Sequence, residues 1–195
     1  MREEALSRAL DVFWERGFVS SGLADLTDSM GIGRQSLYDT FGDKRTLFLE
    51  ALGAYCDQKR EAIVELLDSG ATPGEGLRHF LDAWPDMLAG PMAKGCLVVN
   101  SISESVGQAD SEIAEYIGAQ EARFLELIES AVQAAIDSGE VRLPAGSEPD
   151  AAIGAHELAF TIVSAAHGVA LRARLEPAVE VARAVSLSLR HMLGL

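Results

Sequence analysis

The sequence predicts an all-α protein in two parts, a three-helix start followed by a larger helical body of about nine helices in total. Three observations predict it. Apolar residues recur at three- and four-residue spacing along nearly all of the 195 residues. No apolar–polar alternation runs longer than Gly139–Leu143. Glycine and proline divide the chain into pieces of helical length.

The elements follow in order. Leu6, Leu10, Phe13 and Gly17 step by four, three and four, which puts them on one face of a first helix. Glu3 and Glu4 favour the positive end of its dipole, and Gly17 is placed to end it. A short helix Leu23–Met30 follows, with Ser21 or Gly22 as cap, and then a tight turn, Gly31-Ile32-Gly33. A second short helix, Arg34–Thr40, is closed by Phe41-Gly42. Asp43 is an N-cap for a long helix from Lys44 to about Ser69, with Phe48, Ala51, Leu52, Tyr55, Ile63 and Leu66 turned inward.

Gly70–Gly76 reads as a linker. Helix resumes over about Glu75–Ala89, with a bend expected at Ala83–Trp84 because Pro85 removes a backbone donor. Gly90-Pro91 breaks the chain, and Lys94–Val106 forms a short helix. Asp110–Asp137 is long and amphipathic through Ile113, Ile117, Gln120, Phe124, Leu127 and Ala131. A loop, Ser138–Pro149, precedes two final helices, about Pro149–Leu175 and Glu176–Leu193.

Composition narrows the function classes. Hydrophobic residues make up 48%, enough to bury a core. No apolar run reaches the roughly 18 residues of a membrane span, and the charged start MREEALSRAL lacks the apolar region of a signal peptide. Two cysteines, Cys56 and Cys96, are too few for a disulfide framework. A cytoplasmic protein with no membrane partner is expected. The net charge of −14 argues against nonspecific coating of nucleic acid, which needs local positive charge. Residues 1–50 carry 6 basic and 9 acidic residues, a net of −3, against 10 and 21 in the remainder. A small docking face in an acidic body is therefore still open.

The informative pattern is a short helix, a three-residue glycine turn and a second short helix, the helix-turn-helix arrangement. The turn calls for a positive φ at Gly31. Leu26, Met30, Ile32 and Leu37 would pack the two helices against Phe13, leaving Arg34, Gln35, Ser36, Tyr38, Asp39 and Thr40 pointing outward. Arginine and glutamine at such a helix start can make paired hydrogen bonds to guanine and adenine edges. Lys44, in the first turn of the next helix, can hold a phosphate.

The stretch Ala9–Tyr55 resembles the N-terminal domain of the tetracycline-repressor (TetR) family of transcriptional regulators. The marks are Phe13–Gly17–Phe18, Leu23-Ala24-Asp25-Leu26, Gly31-Ile32, and Ser36-Leu37-Tyr38 followed by Phe41, Lys44 and Leu47-Phe48. Gly95-Cys96-Leu97-Val98-Val99-Asn100 resembles a segment of some members. The resemblance implies that the third helix enters the major groove of operator DNA, that Tyr38 and Lys44 touch phosphates, and that the rest binds a small-molecule effector and dimerises. It divides the chain into a DNA-binding part, 1–46, with a linking helix of about 44–69, and a ligand-binding and dimerisation part, 47–195. The expected DNA-binding set is Arg34, Gln35, Ser36, Tyr38, Thr40 and Lys44. Two departures stand out: Gly33 occupies a place where Ser or Thr usually caps the recognition helix, and Asp39 one often filled by His.

In the second part, Phe80, Trp84, Met87, Met92, Cys96, Phe124, His156, Phe160 and His167 are candidates to line a pocket, or simply core. His156 and His167 lie three turns apart without a nearby ligand set, so no metal and no cofactor is expected. Cys96 is either a buried apolar thiol or a redox or electrophile sensor. For a homodimer, the expected interface is the four-helix seam formed by Phe160, Val163, Ala178, Ala182, Val185, Leu189 and Met192. No nucleophile elbow, HExxH, P-loop or dinucleotide fingerprint occurs, so no enzyme is expected. The alternative is a helical small-molecule-binding protein or small helical enzyme that does not bind DNA.

Overall fold

The computed structural model describes residues 2–89, 95–105, 111–142, 153–175 and 178–195. Among them the chain forms nine helices and no strand: α1 Arg2–Ser20, α2 Leu23–Met30, α3 Arg34–Phe41, α4 Lys44–Asp68, α5 Pro73–Ala89, α6 Leu97–Ser105, α7 Ser111–Asp137, α8 Ala155–Arg172 and α9 Val179–Leu193. The expected break at Gly90-Pro91, the helix start at Lys94, loop positions 143–149 and the last helix start at Glu176 lie outside the described residues.

By contact, the chain forms two units. One holds the chain up to Lys59 together with Leu97–Gln120; the other holds Arg60–Cys96 and Glu121–Leu195. This grouping differs from a linear division at position 46. It brings α6 and the first part of α7 to the three-helix start. Periodicity marks α6 as amphipathic but does not say which distant helix its apolar side meets; here that is α1.

In the first unit, Phe13, Leu26, Leu37, Leu47, Phe48 and Leu52 are fully buried, with Met30, Phe41 and Tyr55 nearly so. Phe48 stands edge-on to Phe13 at 5.1 Å and tilted to Phe18 at 5.0 Å, arrangements that aromatic quadrupoles favour. The buried face of α1 is Ala5, Ala9, Val12 and Phe13 rather than one through Leu6 and Leu10, which are half-buried. The small alanines let neighbouring helices approach where leucine would hold them off. Gly17 ends the regular run of α1 as expected, with φ 78° and ψ 172°, and a short further helical turn beyond this kink reaches Ser20. Arg45 pairs with Glu112 at 3.4 Å, joining α4 to α7.

In the second unit, α5, α7, α8 and α9 enclose a core that includes Leu77, Phe80, Leu81, Trp84, Ile128, Val132, Ile162, Ala182 and Leu193. α9 packs chiefly on α5. Pro85 lies inside α5. A proline there withholds the N–H that Leu81 C=O would accept. The buried Ser186 hydroxyl of α9 donates to that carbonyl instead. Helix begins at Pro73, whose missing donor is harmless in a first turn. The linker before it is clamped by Glu140, which accepts from Thr72 Oγ1 at 2.5 Å, Gly74 N–H at 3.0 Å and Ser138 Oγ at 2.8 Å.

Candidate nucleic-acid interface

Gly31 takes φ 68° in the left-handed region at the end of α2, where a side chain would strain the backbone. Its N–H donates to Asp28 C=O at 3.3 Å and Ile32 N–H to Thr27 C=O at 3.2 Å, closing the helix end. The chain is thereby redirected into α3 within three residues. Leu37 and Phe41 anchor α3 to the core, while Arg34, Gln35, Ser36, Tyr38, Asp39 and Thr40 are all exposed. Tyr38 keeps 44% of its surface in solvent despite its large ring.

Gly33 is the N-cap of α3, in extended conformation and with no side-chain cap bond. The N-terminal N–H groups of α3 thus have no side-chain oxygen from the cap position. Gln35 Nε2 donates to Asp39 Oδ1 at 2.8 Å, one turn along the same helix. The acid at position 39 therefore has a partner within the exposed face itself.

α4 begins where expected: Asp43 Oδ1 accepts Thr46 N–H at 2.7 Å. That bond holds the Asp43 carboxyl below the usual carboxylate range. Lys44 is half-buried rather than extended into solvent. Its Nζ lies 4.7 Å from the centre of the Phe18 ring and donates to Val19 C=O at 3.4 Å. Burial pushes its pKa down, and the charge of Glu104 opposes that shift. Glu104, on α6, was not among the residues singled out from sequence. Its Oε2 accepts Phe18 N–H at 2.8 Å and Val19 N–H at 3.4 Å across 86 and 85 residues.

Residues 5–51 match the family model for bacterial regulatory proteins of the tetR family, and residues 73–187 match the tetracyclin repressor-like C-terminal domain. The chain belongs to the TetR family. Its relatives include the HTH-type transcriptional regulator YezE of Bacillus subtilis (strain 168), 36% identical over 137 residues, 70% of each chain. The HTH-type transcriptional repressor BdcR of Escherichia coli (strain K12) is 30% identical over 127 residues, 65% of this chain and 64% of that one. Among solved structures, a cysteine mutant of the TetR-family regulator CifR, complexed with 26-bp operator DNA, superposes with a TM-score of 0.83. It is 28% identical, with 99% of this chain and 96% of that chain covered. This TetR-family protein is a DNA-binding regulator of transcription, not an enzyme.

In the regulator's second unit the expected pocket residues part company. Phe80 and Trp84 are buried, while Met87, Cys96, Phe124 and His167 are half-buried. His156 and Phe160 are exposed, so they line no interior. His156 Nδ1 pairs with Glu129 at 2.9 Å, which raises its pKa. His167 Nε2 meets Glu121 at 3.2 Å in a more enclosed place. Desolvation lifts Glu121 to about 6 and lowers His167. Met92 lies outside the described residues. Cys96 precedes α6 rather than standing in its first turn. No group of three or more His, Cys, Asp or Glu able to hold a metal occurs among the described residues, and none of their helices is long and apolar enough to cross a membrane.

The expected dimer seam needs correction. Val163, Ala178, Ala182 and Leu189 are buried within the protomer and Val185 is half-buried, leaving Phe160 and Met192 exposed. The alanines bring α9 close to its own core. Among the described residues, the apolar side chains left outside here include Ile153 just before α8, Phe160 and Leu171 on α8, Leu175 just after it, and Val181, Leu187 and Met192 on α9.

Proposed function

We propose that this regulator is a cytoplasmic repressor that binds a palindromic operator as a homodimer and leaves it when a small molecule occupies the second part of the chain. The observation that carries the DNA reading is the division of α3, with Leu37 and Phe41 held in the core and the six residues Arg34, Gln35, Ser36, Tyr38, Asp39 and Thr40 left exposed. Arg34 and Gln35 read base edges; Ser36, Tyr38, Thr40 and Lys44 contact phosphates and fix register. Residues 1–46 serve DNA and 47–195 serve effector and partner, with α4 common to both. The CifR complex supports the operator reading by its likeness along the whole chain.

Effector binding acts by population shift. The ligand favours a state in which the two recognition helices no longer match the half-site separation, so its binding energy opposes that of DNA. The effector is amphipathic. Phe80, Met87 and Phe124 offer apolar surface, and Trp84 Nε1 is buried with no hydrogen-bond partner among the described residues, leaving a donor for a ligand oxygen.

A mobility-shift assay on DNA upstream of the chain's own gene tests this. The expected result is a sequence-specific complex that Lys44→Ala weakens on every sequence, with a salt slope flatter by about one unit. A wild-type chain that binds operator and scrambled DNA alike would overturn the reading.

A further inference from the structure

We propose that Glu104 of α6 is a positioning residue for Lys44, and that operator affinity depends on the bond from Glu104 to the Phe18 and Val19 amides. This rests on the reading of Lys44 as a phosphate contact. The geometry is a short relay through two residues. Gly17, with its positive φ, interrupts α1 so that the N–H groups of Phe18 and Val19 are no longer committed to the preceding turn. One carboxylate oxygen of Glu104 takes both, at 2.8 and 3.4 Å. The same two residues hold Lys44: the Phe18 ring lies 4.7 Å below its ammonium, and Val19 C=O accepts from it at 3.4 Å.

The fit around Gly17 is close. A Cβ there would overlap the Glu104 carboxylate, so that carboxylate occupies the space a side chain would fill. Phe18 is itself braced by Phe48 at 5.0 Å, so the ring under Lys44 has one supported face. Glu104 thus fixes the backbone to which Lys44 is tied.

The positional and electrostatic roles of Glu104 predict opposite signs. Glu104→Ala removes a negative charge near a phosphate-contacting lysine, which by charge alone strengthens DNA binding. Loss of the relay weakens it. The experiment measures operator affinity against salt for wild type, E104A, E104Q, K44A and the E104A/K44A double variant. The expected result is an E104A affinity about tenfold lower, with a salt slope reduced by about one unit. E104Q, which keeps an amide oxygen as acceptor, restores binding to within about threefold of wild type, and the double variant loses little beyond K44A alone. E104A binding as tightly as wild type, or losses that multiply in the double variant, would overturn the proposal.

A second readout needs no DNA. The Lys44 ε-methylene proton shifts report the Phe18 ring current, and they move toward free-lysine values in E104A. E104D, too short to span to both amides, gives the same movement if E104A does not fold. Unchanged shifts in the folded variants would overturn the relay. A wild-type chain that binds no operator would instead sink the DNA reading, leaving the shifts to decide the link between Glu104 and Lys44.

Discussion

Gln35 and Asp39 are bonded to each other on the exposed face of α3, Nε2 to Oδ1 at 2.8 Å. The bond uses one of two amide protons and leaves the carbonyl oxygen and the other proton free. An adenine edge asks for one acceptor and one donor from glutamine. Asp39 therefore orients Gln35 without consuming its reading groups. Gln35→Ala is expected to cost about 1–3 kcal/mol at one base position and to relax specificity there. Asp39→Ala is expected to reduce discrimination at that same position while raising affinity for unrelated DNA, since it removes a charge that repels phosphate. Titration of operator variants with single base changes measures both. Discrimination unchanged in Asp39→Ala would show that the pair plays no part in reading.

The Ser186 hydroxyl replaces the donor that Pro85 denies to Leu81 C=O. Ser186→Ala leaves that carbonyl buried and unsatisfied, so a loss of about 1–3 kcal/mol is expected in urea unfolding. In a Pro85→Ala background the helix supplies its own N–H, and the cost of Ser186→Ala should shrink. Equal costs in the two backgrounds would mean that the hydroxyl serves some other contact.

Glu121 and His167 give stability a pH dependence whose sign can be worked out. Burial raises the Glu121 pKa to about 6, so between its ordinary value of 4.5 and 6 the folded chain binds more protons than the unfolded one. Stability from this group is present below that window and is lost as pH rises through it. The lowered pKa of His167 acts in the opposite sense, costing stability as pH falls through its own range. Glu121→Gln removes the Glu121 contribution and leaves His167, 3.2 Å away, beside a neutral amide. The variant should gain about 1 kcal/mol over wild type on going from pH 4.5 to pH 7. Urea midpoints at the two values check it, and a constant difference between the two chains would refute it.

Phe160 and Leu187 keep 59% and 65% of their surface exposed, more than isolated apolar side chains need. In a homodimer joined through α8 and α9 they are buried against the partner. Phe160→Glu and Leu187→Glu should each shift the sedimenting species toward monomer and weaken operator binding. Ala182→Glu, by contrast, should unfold the protomer, because Ala182 is fully buried in its own core. A dimer that survives both surface substitutions would place the interface elsewhere.

The sequence by itself determined what depends on near neighbours. Helical class, the Gly31 turn, the Asp43 cap and the outward set on α3 all follow from spacing within one or two turns, where side-chain direction is fixed by a 3.6-residue period. The nine helices among the described residues and the family marks of the first fifty residues were legible for the same reason. What spacing leaves open is which apolar stripe meets which partner, because a stripe that fits a neighbouring protomer fits the protomer's own core equally well. The alanine-containing stripe of α9 went inward onto α5, and His156 and Phe160 went outward while Val163 on the same helix did not. Tertiary structure alone also brought Glu104 to the broken end of α1 and Ser186 to the carbonyl freed by Pro85, across 86 and 105 residues. Such pairs leave no periodic trace. A buried polar group needs a partner, and only the packed chain decides which one lies within reach.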